Sequence, residues 1–164
     1  RFGFFKILDN KNILKKYFNK FGPEAISMNF NFQYIKNKFL NKKKNIKSFL
    51  LDQNFVSGIG NIYASEILFL CKINPNKKAG NLTKKDCIKI IKNSKKVLSN
   101  AIKKGGSSIR DFKDTFGKKG EFQKNFNVYE REGLNCKRST CEGKIKKKII
   151  TNRSTFFCEL CQNN

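Results

Sequence analysis

The sequence predicts a mainly α-helical domain followed by a small β-ribbon that carries four cysteines, with one further strand at the N-terminal end. Three observations predict this arrangement. Apolar residues recur at helical spacing through the middle of the chain. Four of the six cysteines fall among the last 29 residues, within short segments rich in β-branched and aromatic residues. Residues 1–8 alternate loosely between apolar and other side chains, which is typical of a strand.

The N-terminal strand is expected to belong to a larger sheet. A lone strand is not stable in water, because its backbone groups need neighbouring strands. The sequence begins at Arg1 and lacks an initiator Met, so we expect a fragment in which most of that sheet is missing.

Helical segments are predicted between residues 10 and 104. Residues 10–47 hold two short amphipathic stretches, and "SFLLDQNFV" and "IYASEILFLC" flank the break "SGIGN". Thr83, followed three residues later by Asp86, resembles a capping box that opens a long helix. Two glycines, Gly105 and Gly106, end this helix. Its apolar positions keep helical spacing: Cys87, Ile91, Leu98, Ala101 and Ile102.

A Gly- and Lys-rich segment, residues 105–127, predicts a long exposed loop. A loop of that length in a compact protein is usually functional or disordered. After it, "FNVYER", "KIKKKII" and "STFFC" predict strands that build a ribbon around the four cysteines.

The charge of the chain points to a polyanionic partner. Lys plus Arg number 36 and Asp plus Glu number 12, a formal net charge of +24. Codon bias in an AT-rich genome is an alternative explanation for the many lysines, because it would replace Arg by Lys. It does not explain the small number of Asp and Glu residues. Nucleic acid is the commonest partner for such a chain. The sequence has no run of 18 apolar residues and no secretory signal, so we expect no membrane association and a cytoplasmic location.

The four clustered cysteines form two close pairs. Cys136 and Cys141 have four residues between them, Cys158 and Cys161 have two, and a 16-residue spacer separates the pairs. Two pairs joined by a hairpin-length spacer predict one structural zinc ion held by four thiolates. A thioredoxin-like site would need one pair at the end of a strand that opens a helix. Disulfides would imply secretion, which nothing else in the sequence supports.

The segment "SGIGNIY" predicts a tight turn between two helices. It is not a dinucleotide-binding fingerprint, because a third glycine is missing and a helix precedes it. Gly58 and Gly60 can adopt positive φ and let a phosphate approach the backbone. Asn61 stands at the expected N-cap of the second helix, whose free N–H groups would form an anion site. Such a turn can be purely structural, but the basic charge and the cysteine ribbon favour a clamp for DNA phosphates.

The longest motifs resemble the formamidopyrimidine-DNA glycosylase family. "IKSFLLDQNFVSGIGNIYASEILF" is similar to its helix–two-turns–helix signature, nearly residue for residue. "AIKKGGSSIRDF", "GEFQKNFNVYEREG" and "NRSTFFCELCQ" follow in the order of that family, and "RFG" and "FGPE" also fit. The resemblance covers essentially the whole chain, and "GNIYASE" favours this branch over the related endonuclease VIII branch.

The resemblance implies a bacterial, nucleoid-associated enzyme that excises oxidised purines from duplex DNA and then nicks the abasic strand, acting as a monomer. It divides the chain into the end of an N-terminal β-sandwich (residues 1–9), a helix–two-turns–helix domain with a lesion-capping loop at 105–127 (residues 10–127) and a zinc finger (residues 128–164). The family nucleophile is an N-terminal Pro beside a catalytic Glu. Both prolines here are internal, so we expect the chain to bind DNA without cleaving the glycosidic bond.

The resemblance also assigns DNA contacts. Phe2 matches the wedge that fills the stack when a nucleotide is flipped out. Lys42 and Lys47 match basic DNA-contacting positions. The phosphate-binding positions are matched by Asn61, which follows Gly60 of the turn, and by Tyr129 and Arg153 of the finger. Arg110 lies in the lid over the everted base, and Arg153 is also credited with the second elimination step.

Each assignment has a simpler alternative. Phe2 could be core, Lys42 and Lys47 could form a solvated face, and Tyr129 could only pack the ribbon. Arg110 could form a loop ion pair with Asp111, and Arg153 could be an exposed hairpin residue that contacts nothing. For the chain as a whole, the alternative is a non-catalytic, zinc-dependent DNA- or RNA-binding module.

Overall fold

The computed structural model describes residues 5, 7, 10–107 and 120–163. Phe2, Arg110 and all but two residues of the expected N-terminal strand lie outside the described residues, as does most of the expected lid. The described part contains five α-helices and one two-stranded antiparallel sheet: α1 Lys11–Phe18, α2 Phe32–Phe39, α3 Ile46–Leu50, α4 Asn61–Cys71, α5 Lys84–Lys103, β1 Ile145–Ile150 and β2 Arg153–Cys158. The predicted order of helices followed by a ribbon is confirmed.

Side chains fix the starts of most of these helices. Asn10, Asn31 and Asn45 each accept a backbone N–H in the first turn of α1, α2 and α3. The capping box of Thr83 and Asp86 is present at the start of α5, as predicted. Such caps satisfy donors that the helix itself leaves without partners, so the local sequence determines these boundaries.

The segment "FNVYER" was expected to be a strand, and this prediction is wrong. A short 3₁₀ turn at Phe122–Asn125 leads into turns instead. The backbone N–H groups of Asn127, Val128 and Tyr129 point at the carboxylate of Glu66 on α4 rather than at a neighbouring strand. A buried side chain has therefore replaced the neighbouring strand that was expected to pair with this segment.

Helix α4 lies between two hydrophobic cores. Residues Ala64 to Phe69 are buried without interruption. Ala64, Ile67 and Leu68 belong to the larger helical core, which includes the inner face of α5. Phe69 belongs instead to the small core of the ribbon, with Val128, Cys136, Ile145, Phe156 and Cys158. One helix thus connects the helical part to the finger. None of the helices that the structure describes is long and apolar enough to cross a membrane.

The ribbon is a tight hairpin. Ile150 pairs with Arg153, so the connecting loop is Thr151–Asn152, and both loop residues have positive φ, 52° and 55°. Two successive left-handed residues match the right-handed twist of a hairpin. This turn places Arg153, which is exposed, beside the tip.

Candidate metal centre and nucleic-acid interface

The four predicted cysteines converge at one point. Their sulfurs all lie within 4.8 Å of one another; Cys136 and Cys161 are 3.9 Å apart and Cys141 and Cys158 are 3.6 Å apart. Sulfurs in tetrahedral contact with zinc, at bonds of about 2.3 Å, stand roughly 3.8 Å apart. The spacing fits a four-coordinate metal and is far from the roughly 2.05 Å of a disulfide. Cys158 ends β2 and turns follow it, so the strand-to-helix setting of a thioredoxin-like site is not found there.

Electrostatics favour a cation among these sulfurs. Burial, followed by the neighbouring Cys158 and Cys136, raises the pKa of Cys161 to about 12. Burial also raises the pKa of Cys136, whereas the backbone N–H of Gly143 lowers the pKa of Cys141. Four thiolates this close repel one another, so the cluster can be fully ionised only around a positive ion. A set of four soft sulfur donors suits zinc.

Glycine is required beside the four-cysteine cluster. A Cβ placed on Gly143 would lie 2.9 Å from the sulfur of Cys158 and 2.9 Å from the Cβ of Leu160. The backbone of Gly143 also accepts the N–H of Cys136 at 2.7 Å. This close approach brings the two cysteine pairs together.

A second cluster forms around the backbone carbonyl of Ser154 in β2. This oxygen accepts hydrogen bonds from Asn61 Nδ2 at 2.9 Å and from Lys47 Nζ at 3.2 Å. Asn61 Nδ2 also lies 3.5 Å from the hydroxyl of Tyr129. Since Arg153 is the adjacent residue, four of the predicted DNA-contacting residues come together from four separate segments. We call this group, Lys47, Asn61, Tyr129 and Arg153, the polar cluster.

Lys47 is fully buried, so its interpretation as part of a solvated face is wrong. Its ammonium group donates to Thr155 Oγ1 at 2.6 Å as well as to Ser154. Burial, and then the positive charge of Arg153, lower its pKa to about 7. By contrast, Lys42 is exposed and does not join the polar cluster.

The expected capping role of Asn61 is wrong. Asn61 is the first residue of α4, and Gly60 occupies the N-cap position with an extended backbone. Because glycine has no side chain, the N-cap residue does not cap α4 in the described structure, and the first N–H groups of the helix are left without a capping side chain. Gly60 does not use positive φ, although Gly58 does, at 89°. A Cβ on either glycine would meet nothing within 4 Å, so the backbone here is open to a ligand.

Sequence reasoning missed Glu66, which holds Tyr129 in place. Its buried carboxylate accepts the backbone N–H groups of Asn127, Val128 and Tyr129 and the side-chain amide of Asn127, at 2.8–3.0 Å. Tyr129 then packs edge-on against Phe126 and Phe156. The signal in the sequence is a single acid within the otherwise apolar stretch "IYASEILFLC".

Comparison with known proteins agrees with this arrangement. Residues 21–113 match the family described as the formamidopyrimidine-DNA glycosylase H2TH domain. The formamidopyrimidine-DNA glycosylase of Roseobacter denitrificans is 40% identical over 163 residues, which are 99% of this chain and 58% of the relative. The chain therefore spans less than two thirds of the length of this relative.

Solved structures agree as well. Lactococcus lactis Fpg bound to abasic-site DNA superposes with a TM-score of 0.86 at 35% identity, over 94% of this chain and 56% of that one. The same enzyme with DNA containing Fapy-dG gives a TM-score of 0.84 at 35% identity, over 94% and 56% of the two chains. The family match covers more than half of the sequence, and both the sequence relative and the structures come from the same family. The chain belongs to the formamidopyrimidine-DNA glycosylase family.

Proposed function

We propose that this chain supplies the DNA-binding part of a bifunctional base-excision-repair enzyme that removes oxidised purines, such as formamidopyrimidine and 8-oxoguanine, and nicks abasic sites. The polar cluster carries this proposal. Donors from α3 and α4 converge on the Ser154 carbonyl of β2 beside the N-terminal end of α4, on a chain with a net charge of +24. Uncapped N–H groups and basic side chains form a site suited to a phosphate.

We further propose that Asn61, Tyr129 and Arg153 contact the phosphates that flank the lesion. Gly60 would keep the backbone accessible, and Lys42 would contribute an exposed charge farther along the duplex. The metal centre would be one structural zinc ion that holds the hairpin and, with it, Arg153. In a complete enzyme, Arg153 would also assist the second elimination step. The complexes of the Lactococcus lactis enzyme with abasic-site and Fapy-dG DNA support this choice of partner.

Arg153 gives the direct test of DNA binding. We expect the wild-type chain to bind a duplex carrying an abasic-site analogue, with an affinity that falls steeply as salt rises. Arg153→Ala should lose a charge-assisted contact worth about 1.5–3 kcal/mol and keep its metal. Fluorescence anisotropy at several salt concentrations, with metal content measured in parallel, checks both expectations. Lys148→Ala, also on the hairpin and exposed, is the control. Unchanged affinity in Arg153→Ala, with metal retained, would contradict the assignment.

A base-excision test separates binding from catalysis. Pro23 and Pro75 both lie within peptide bonds, so neither nitrogen can form a Schiff base with an abasic sugar. We expect the 164-residue polypeptide to bind abasic DNA without efficient trapping by borohydride. Trapping as efficient as that of a full-length relative would show that the residues present here perform the chemistry themselves.

DNA affinity is expected to depend on pH near neutrality through Lys47. Its pKa in the folded chain is about 7, and a nearby phosphate would favour the charged form, so binding should take up a proton. Affinity should then fall as pH rises from 6 to 8, and Lys47→Met should remove this dependence. The chain has no histidine that would titrate in this range. Binding measured at pH 6, 7 and 8, with Lys42→Met as the control, tests the expectation. An equally pH-dependent Lys47→Met variant would refute it.

The same shift affects stability. An unfolded lysine binds its proton below its ordinary pKa of 10.5, whereas folded Lys47 binds it only below about 7. Between these values the unfolded state holds more protons, so the free energy of unfolding should rise with pH from about 7 towards 10.5. Lys47→Met should flatten that rise in urea unfolding curves. A slope unchanged by the substitution would show that Lys47 does not cause it.

A further inference from the structure

Both cysteine-bearing turns reach the same end of α4. We call the turn at Cys136–Cys141 the first knuckle and the turn at Cys158–Gln162 the second knuckle. From the first knuckle, Arg138 Nη2 donates to the carbonyl of Phe69 and lies 3.4 Å from that of Leu70. The guanidinium carbon of Arg138 also lies 4.5 Å from the centre of the Phe69 ring. The four residues between the first two cysteines give this knuckle room for Arg138.

The second knuckle makes the matching contact through Gln162. This side chain is fully buried. Its Oε1 accepts the backbone N–H of the metal-site residue Cys158 at 2.9 Å, and its Nε2 donates to the carbonyl of Ile73 at 2.9 Å. One amide group therefore connects the metal centre to the residues just after α4.

These contacts supply hydrogen-bond donors to the C-terminal end of α4. The last carbonyls of a helix have no partner within it and carry partial negative charge. α4 ends at Cys71, and Lys72 adopts a left-handed conformation with φ 59°. Arg138 brings both donors and positive charge to these carbonyls. Since α4 has 11 residues and rises about 1.5 Å per residue, its other end, at Asn61, lies roughly 16 Å away.

We propose that Arg138 and Gln162 are positioning residues, through which the metal centre fixes the orientation of α4 and thereby the placement of Asn61 and the open N–H groups at its N-terminal end. This inference rests on the proposed DNA-binding function. The polar cluster then has two links to the finger: a direct one through Ser154, and a second one through the opposite end of α4. The longer first knuckle acts as a brace for the DNA-contacting helix in addition to supplying two metal ligands.

The contacts predict how Arg138 differs from a lysine at the same position. A lysine keeps the charge, but its ammonium group cannot lie flat on the Phe69 ring, as the guanidinium does, while it donates to the carbonyls of Phe69 and Leu70. If Arg138 acts only through its charge on DNA, Arg138→Lys should bind DNA normally. If it acts as a brace, Arg138→Lys should retain metal and lose affinity, by about tenfold for loss of one such charge-assisted contact.

Salt dependence separates the brace from a direct phosphate contact. Removing a cation that touches a phosphate reduces the slope of log affinity against log salt by about one. Arg138→Gln, which removes the charge, should lower affinity without changing that slope, because the contacts it misplaces, at Gly60 and Asn61, are made by neutral donors. Ser139→Ala, exposed in the same knuckle, is the matched control and should change neither quantity.

A double-mutant cycle with Asn61→Ala decides the question. Wild type, Arg138→Lys, Asn61→Ala and the double variant are compared for affinity to an abasic-analogue duplex, for metal content and for amide hydrogen exchange along α4. We expect faster exchange near residues 69–73 in Arg138→Lys, and a DNA penalty that largely disappears once Asn61 is already replaced. Additive penalties, or unchanged exchange near residues 69–73, would overturn the proposal. If wild type itself fails to bind the duplex, the proposed function fails, and the exchange data alone decide whether Arg138 braces α4.

Discussion

Replacing Glu66 with alanine is expected to destabilise the chain by on the order of 3 kcal/mol or more, because several buried donors would lose their acceptor at once. The carboxylate takes three backbone N–H groups and one side-chain amide. Glu66→Gln should also be destabilising, since its amide would present two N–H donors to other donors. Urea unfolding measures the loss.

The matched control for this prediction is Glu142→Ala. Glu142 is exposed and directly follows Cys141, so its loss should be nearly neutral. Amide hydrogen exchange adds a local test, because the amides of Asn127, Val128 and Tyr129 should lose protection in the Glu66 variants first. Full protection of these three amides in Glu66→Ala would show that the carboxylate does not hold this segment.

Removing the proposed zinc ion is expected to have the second large effect. The finger core contains few buried side chains, and a ribbon of this size cannot pay the entropy of folding without the ion. Chelation should therefore abolish the dispersed NMR signals of β1 and β2, while the helical signal in circular dichroism largely remains. The helices keep a core of their own, which does not include the ribbon strands.

DNA binding should fall together with the hairpin. Loss of the Arg153 contact, and of the Ser154 carbonyl that holds Asn61 in place, should cost about 3 kcal/mol of binding free energy, or roughly two powers of ten in affinity. Adding back zinc should restore the dispersed NMR signals of β1 and β2 and should also restore DNA binding. If the NMR signals of the ribbon stay dispersed in the metal-free chain, the fold of the ribbon does not depend on a metal.

Local signals in the sequence predicted much of the fold. The Thr83 capping box, the glycines after α5 and the short spacing within each cysteine pair act over a few residues, and the structure agrees with all three. The expected strand at "FNVYER" failed because Glu66, some sixty residues earlier in the chain, satisfies its backbone. The β-branched and aromatic residues of a short segment cannot reveal such a distant acceptor.

In the candidate site, too, the sequence predicted which residues take part but not how distant segments pack together. Motif resemblance selected Lys47, Asn61, Tyr129 and Arg153, and the described structure brings all four together. The motif resemblance could not show that Lys47 is buried or that Gly60 rather than Asn61 is the N-cap. It also could not show that the Ser154 carbonyl joins the segments. These features depend on packing between elements distant in sequence. The role of Arg138 likewise could not be predicted from the sequence, because its partners are backbone carbonyls.

We infer that duplex DNA binds at the polar cluster beside the start of α4. The most direct measurement is an NMR titration of the isotope-labelled, zinc-loaded chain with a short duplex that carries an abasic-site analogue. We predict that the largest amide shifts occur at residues 58–63, at Tyr129 and at 151–154. The lysine-rich outer face of α5, including Lys85 and Lys92, should shift little. Shifts concentrated on that face, with residues 58–63 and 151–154 unchanged, would contradict the account.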